Sequence, residues 1–290
     1  MTELKKIRLI KGVVVKATKE TPDSWTLDIF VNKQDKNYIA GQFISINPHQ
    51  FVELKDFIAY LEHKKQKKET IRAYSMASCP TDEYVSITIK PEVYHPSDEF
   101  PPLLSPILAS DFLLGREIEF SGYTGAYHIH DSLRQDTDHI IHITAGSGVV
   151  PNYAILKDEL YNNKSTHIKH TLILVNKTIK DIIYHQKLIE LQNTYKSRLT
   201  IKHFLTQERN ISAWGDNYSY GRPEISHIKN ILEDKEKTLF FACGPAITKW
   251  QKKQALAQNI ELKPRFMEWV QSVIDELGIN KKKYFKEVYG

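Results

Sequence analysis

Two hydrophobic periods divide this sequence, and a chain that changes period partway along cannot fold as one uniform layer. Up to about residue 130 the apolar residues fall in short runs, several of them alternating with polar residues. Gly12 to Ala17 is a short apolar run, and Thr21-Pro22-Asp23-Ser24 reads as a turn. Trp25, Leu27 and Ile29 then alternate with Thr26, Asp28 and Phe30. Gly41 to Asn47, Tyr84 to Lys90 and Glu117 to Phe120 repeat the pattern. Short strands separated by turns predict a small antiparallel β-barrel. Within it, Phe51, Leu54, Phe57, Ile58 and Leu61 fall at helical spacing and predict a helical insert at about 49–70 that ends in Lys64, Lys65, Lys67 and Lys68. From about residue 137 the strands are longer and are spaced by helices. His139 to Thr144, Thr171 to Val175, Leu199 to Leu205 and Thr238 to Cys243 read as buried strands. Helices are expected from near Pro151, after a Thr178 cap through Ile182, Ile183, Leu188 and Leu191, and over Phe266 to Leu277. Strands alternating with helices predict a parallel sheet. The expected fold is therefore a two-domain chain, with an antiparallel barrel at 1–135 and an α/β parallel-sheet domain at 136–290.

Composition narrows the functions open to such a chain. Its 290 residues are 41% hydrophobic, enough for two cores. A net charge of +5 is too small to argue for nucleic acid and suits an acidic protein partner. Two cysteines, Cys79 and Cys243, cannot ligate an iron–sulfur cluster or build a disulfide framework. The first fifteen residues lack the apolar core of a signal peptide, and no run reaches the ~18 residues of a membrane span. A cytoplasmic protein is expected.

Two short segments suggest chemistry. Ala145-Gly146-Ser147-Gly148-Val149-Val150-Pro151 follows a strand and opens a helix, so its glycines can bring backbone N–H groups to a pyrophosphate. It lacks the third glycine of the dinucleotide fingerprint. Arg72-Ala73-Tyr74-Ser75-Met76-Ala77-Ser78 offers a cation for phosphate, a ring for stacking and hydroxyls for hydrogen bonding. The pairs His128/His130 and His139/His142 lack carboxylate or thiol neighbours at ligand spacing, so no metal is expected.

The order of the motifs is more specific than any one of them. Arg72-Ala73-Tyr74-Ser75, Gly122-Tyr123-Thr124-Gly125, the Ala145 to Pro151 loop, Cys243-Gly244-Pro245 and the final Glu287-Val288-Tyr289-Gly290 together resemble the ferredoxin–NADP reductase superfamily. The resemblance implies FAD in the barrel and a nicotinamide nucleotide in the α/β domain. It places Arg72 on the flavin phosphates, Tyr74 against the isoalloxazine and Ser75 near its N5, with Ala73 and Ser78 in the same motif. Lys90 and Tyr94 match a Lys-x-x-x-Tyr whose tyrosine packs on the adenine. Leu104 and Ser105 match a pyrophosphate loop, with Pro102 where the family has Gly. Cys243, Gly244 and Pro245 belong beside the nicotinamide, together with Gly146, Ser147, Gly148 and Pro151. Glu287 and Tyr289 match an ending in which Tyr covers the flavin and Glu assists proton exchange, although Gly290 follows here. Ser75, Cys243 and Glu287 are the implied catalytic set.

Lys177 and Arg222, with Thr206, fall where family members meet the 2′-phosphate, whereas Gln207 replaces an arginine there. NADPH is the expected nucleotide, with NADH the alternative. The resemblance implies hydride transfer to FAD and single electrons passed on to a ferredoxin, a flavodoxin or an oxygenase component, docked through the lysine cluster. Two other functions remain open: a nucleotide-binding regulatory or electron-transfer subunit without its own turnover, and a reductase of ferric chelates or quinones.

Overall fold

The computed structural model describes residues 8–94 and 98–289. The amino-terminal residues 1–7 and Gly290, which entered the expectations above, lie outside the described residues. The chain forms two compact units, Met1–Ala126 and Tyr127–Gly290.

In the first unit β1 (Leu9–Thr21), β2 (Ser24–Phe30), β3 (Phe43–Ile46), β4 (Arg72–Ser75), β5 (Val85–Ile89) and β6 (Glu117–Thr124) form an antiparallel sheet in the order β4-β3-β6-β1-β2-β5. A Met76–Ile87 bridge joins its two edges, so the sheet closes on itself as a barrel. Alternation explains the core: Leu27 and Ile29 of β2 are buried, and Phe30 is exposed. The insert between β3 and β4 is helical. Two short 3-10 turns lead into α1 (Lys55–Lys65), and Phe51, Leu54, Ile58 and Leu61 bury against the barrel core. The helix stops at Gln66, which takes the left-handed conformation at φ 51°. A short helix, α2 (Ser105–Leu108), precedes β6.

The second unit opens with α3 (Asp131–Arg134) and β7 (His139–Ala145). A Gly146–Gly148 turn follows and leads into α4 (Val149–Tyr161). Next come β8 (Lys169–Asn176), α5 (His185–Thr194), β9 (Leu199–Leu205), β10 (Tyr218–Tyr220) and α6 (Ile225–Lys229). The unit ends with β11 (Thr238–Pro245), α7 (Lys249–Gln258), α8 (Phe266–Glu276) and β12 (Tyr284–Tyr289). The sheet is wholly parallel, in the order β10-β9-β8-β7-β11-β12. Among the described residues no helix is long and apolar enough to cross a membrane.

Two expectations need correction. The division falls at Ala126/Tyr127 rather than at 135/136, because Tyr127 already belongs to the second unit. Its ring sits edge-on to Phe241 at 5.2 Å and its hydroxyl donates to Asn152. Thr178 caps a single 3-10 turn and not a long helix. Its capping box with Asp181 closes Ile179–Asp181, and α5 starts only after Tyr184, whose φ is 63°. Ile182 and Ile183 are therefore buried ahead of the helix. The closing Tyr284–Tyr289 segment, to which the sequence assigned no element, is a strand paired in parallel with β11.

Candidate functional site

In the first unit the sheet order brings two motifs onto adjacent strands. Strand β3 pairs with β4 on one side and β6 on the other. Ile44 therefore lies between Tyr74 and Gly122, and Phe43 between Ser75 and Thr124. Arg72 stands at the start of β4, opposite Ile46. Its Nη1 donates to the Thr70 carbonyl at 2.6 Å and the Thr70 hydroxyl at 3.0 Å, and its Nη2 donates to Glu69 at 2.5 Å. Tyr74 is half-buried against the barrel core, and burial pushes its hydroxyl pKa up. Ser75 is buried and Ala73 exposed.

Ser78 departs from its expected place. It is fully buried, and its oxygen accepts from the Tyr38 hydroxyl at 2.8 Å and from the Ser86 amide at 2.9 Å. That removes it from the surface a flavin could touch. Lys90 forms an ion pair with Asp23 of the β1–β2 turn at 3.0 Å. Tyr94 is exposed. Leu104 is a core residue, and Ser105 opens the four-residue α2. Two features of this unit fit a flavin nucleotide. One is the guanidinium donor set of Arg72, whose Nε–H donates to nothing among the described residues. The other is the Tyr123 hydroxyl, which is buried without a hydrogen-bond partner.

In the second unit the nucleotide loop is pinned by close packing. A Cβ on Gly148 would lie 2.0 Å from the Cys243 carbonyl oxygen. One on Gly244 would lie 2.5 Å from the Phe266 ring. The second glycine of the loop is thus required by the strand end behind it, a reason the sequence did not disclose. Gly146, at φ +55° with nothing within 4 Å of its Cβ position, keeps the open side of the turn. Ser147 is half-buried there, and Pro151 lies in the buried first turn of α4.

Strand register lines up the expected nicotinamide residues. Thr144, Cys243 and Glu287 face one another across β7, β11 and β12, and Gly244 and Pro245 pair with Val288 and Tyr289. Burial pushes the Cys243 thiol well up, Glu287 adds to the shift, and a hydrogen bond with Tyr289 opposes it. Cys243 is therefore a neutral, buried thiol and not a thiolate nucleophile.

The ends of β8, β9 and β10 collect the remaining residues. Asn176 pairs with Leu205, and Leu205 pairs with Tyr220. Lys177 and Thr206 follow directly, Arg222 follows after Gly221, and Lys177 and Arg222 are exposed. Backbone bonds from Thr206 to Asn176, from Gln207 to Lys177 and from Gly221 to Leu205 hold the three loops together. The Asn176 side-chain Nδ2 is buried and unsatisfied at this edge, as a nucleotide hydroxyl or ring acceptor would require.

The sequence reading missed two polar residues. Asn152 sits one turn into α4. Its Nδ2 donates to the Gly148 carbonyl at 2.9 Å and its Oδ1 bonds His142 Nδ1 at 2.8 Å, tying the loop to the sheet. Glu69 is a buried acid beside Arg72. Neither stands in a motif; each is found only through its partners. The histidines contact each other and the core. His128 and His130 have ring centres 4.2 Å apart, whereas His142 and His139 turn to different partners, Asn152 and Thr171.

A family model described as an oxidoreductase NAD-binding domain matches residues 143–252. In structure the chain resembles the FAD/NAD-binding domain of nitric oxide dioxygenase from Vibrio cholerae. The TM-score is 0.68 at 19% identity, covering 97% of this chain and 98% of that one. Ferredoxin-NADP+ reductase from Plasmodium falciparum gives 0.65 at 18% identity, covering 97% and 96%. The fold is thus that of these reductases, and residues 143–252 carry the oxidoreductase NAD-binding domain. Among curated proteins the chain is 27% identical over 184 residues to NADH-cytochrome b5 reductase 2 of Coccidioides immitis, which is 62% of this chain and 52% of that protein. The chain spans about half the length of the curated relatives it matches.

Proposed function

We propose that this protein is a member of the ferredoxin–NADP reductase superfamily, an NAD(P)H-dependent flavoprotein oxidoreductase that passes single electrons to a carrier protein. The observation that carries the reading is the row Thr144, Cys243 and Glu287 behind a loop held by Gly148, because it sets a nucleotide loop, a neutral thiol and a carboxylate at one sheet end. FAD, when bound, supplies the conversion of one hydride into two single electrons.

The chain's own residues do the rest. Arg72 binds flavin phosphate as a fixed planar cation. Tyr74 gives a ring face, and Ser75 a hydroxyl at the isoalloxazine edge. Gly146, Ser147 and Gly148 present amides to the pyrophosphate at the start of α4. Cys243 packs beside the nicotinamide without ionising, and Glu287 holds or releases a proton next to it. Lys177 and Arg222 meet the 2′-phosphate, which makes NADPH the preferred nucleotide.

For the acceptor, the matched proteins bear the names of cytochrome b5 and ferredoxin, both one-electron carriers. The exposed Lys64, Lys67 and Lys68 suit the acidic surface of such a partner. Lys65 leaves this set: it pairs with Glu69 at 2.6 Å and lies 4.6 Å from the Phe100 ring centre.

Anaerobic addition of NADPH, and separately of NADH, to protein loaded with FAD tests the reading. Loss of the visible flavin absorbance at one nucleotide per flavin is expected. Flavin that stays oxidised with both nucleotides would leave a binding subunit without turnover.

A further inference from the structure

The lysine-rich insert does more than lead into the flavin motif. Its last buried residue is Glu69, which is 8% exposed, and three bonds from the insert and the strand fix this side chain and its backbone. Lys65 Nζ holds Oε1 at 2.6 Å, and Arg72 Nη2 holds Oε2 at 2.5 Å. The Glu69 amide donates to Glu62 of α1 at 2.8 Å, and Glu62 in turn bonds His49 at 3.0 Å. Burial works against the charge on Glu69, yet the bonds from Lys65 and Arg72 outweigh it and hold the carboxyl below its usual range.

A guanidinium has five N–H donors in a rigid plane. Thr70 takes both Nη1 contacts, and Glu69 takes one from Nη2. The plane is thereby fixed, and the Nε–H is left without an acceptor among the described residues.

We infer that Glu69 is a positioning residue for flavin phosphate: it fixes the Arg72 guanidinium so that the remaining donors face the phosphate, and it wires the α1 insert to the flavin site. This deepens the flavin reading above and rests on it. An acid near a phosphate costs repulsion, but Lys65 neutralises Glu69 from the other side, so the ion triplet presents net positive charge. A pre-oriented fork loses less side-chain entropy when it binds.

The test compares FAD, FMN and riboflavin binding by fluorescence titration. Riboflavin shares the ring system but has no phosphate. Glu69→Gln keeps the side-chain shape and removes the charge that anchors Arg72. It should weaken FAD and FMN about tenfold and leave riboflavin unchanged. In an Arg72→Ala background the same change should add nothing, because the two residues act as one unit. Equal weakening of all three ligands would mean that Glu69 only supports the barrel. Unchanged or tighter FAD binding would mean that its charge opposes the phosphate. Either result overturns the inference. If Glu69→Gln does not fold, Glu69→Asp, which keeps the charge but draws it back by one methylene, must show the same split. A wild-type protein that binds neither FAD nor FMN refutes the flavin reading itself, a separate outcome.

Discussion

Gly148→Ala isolates one contact that holds the nucleotide loop. The residue already has ordinary helical backbone angles, φ −60° and ψ −14°, so alanine adds no backbone strain. The whole cost is steric. The new methyl would lie 2.0 Å from the Cys243 carbonyl oxygen, 2.5 Å from its carbon and 3.0 Å from the Gly244 nitrogen. All three are backbone atoms, and the first is about 1.4 Å short of ordinary contact. Relief requires the loop to lift from β11 or the Cys243-Gly244 stretch at the end of β11 to retreat. Overpacking in a filled core costs about 1–3 kcal/mol, and a backbone obstacle belongs at the top of that range. Alanine regains about 0.5 kcal/mol by restricting the unfolded chain, which leaves about 2.5 kcal/mol. For a unit of this size that lowers the midpoint of thermal unfolding by roughly 5–10 °C. Differential scanning calorimetry of the full chain measures it, and nucleotide titration shows whether the displaced loop also binds more weakly. Wild-type stability together with wild-type nucleotide affinity would refute the reasoning. Gly146→Ala is the control. It meets no atom and pays only for its left-handed backbone, about 1 kcal/mol, so it should destabilise less.

Removing Lys177 and Arg222 together should raise the KM for NADPH and leave that for NADH nearly unchanged in steady-state assays; equal changes would place the two cations elsewhere. Burial lowers the pKa of His142 to about 4 and that of His203 to about 3, so both stay neutral in the folded chain while their unfolded forms titrate near 6.5. The unfolded state then binds more protons below pH 6.5, and stability falls as pH drops from there toward 4 for His142 and 3 for His203, by about 2 kcal/mol per histidine at pH 5. His203→Phe keeps the stacking on Tyr218 and should flatten this slope in denaturant unfolding at pH 7 and pH 5; an undiminished slope would absolve the residue. Changing Lys64, Lys67 and Lys68 to Gln should slow reduction of an acidic carrier and weaken its salt dependence while ferricyanide reduction persists, and carrier kinetics that do not respond would assign docking to another surface.

The sequence alone determined the two layers and the strand positions. Alternation at Trp25, Leu27 and Ile29 and the unbroken apolar run at Thr171 to Val175 each report one local environment, and local environment is what hydrophobic period records. The motif order also located Tyr74, Ser75 and Cys243 in strands and Gly148 in a turn, although what requires glycine at 148 is the distant Cys243 carbonyl. Tertiary structure decided what depends on neighbours distant in the chain. Parallel pairing of β11 with β7 and β12 set Thr144, Cys243 and Glu287 in one row, although they are far apart in sequence. The same pairing buried Cys243, which fixed its thiol as neutral. Ser78 looked like a ligand residue because it follows the motif, but Tyr38 and Ser86 occupy its hydroxyl. Lys65 looked like one surface charge among four, until Glu69 and Phe100 claimed it. A polar side chain's role depends on which partners reach it, and strand pairing and helix packing set those partners at separations that no sequence period encodes.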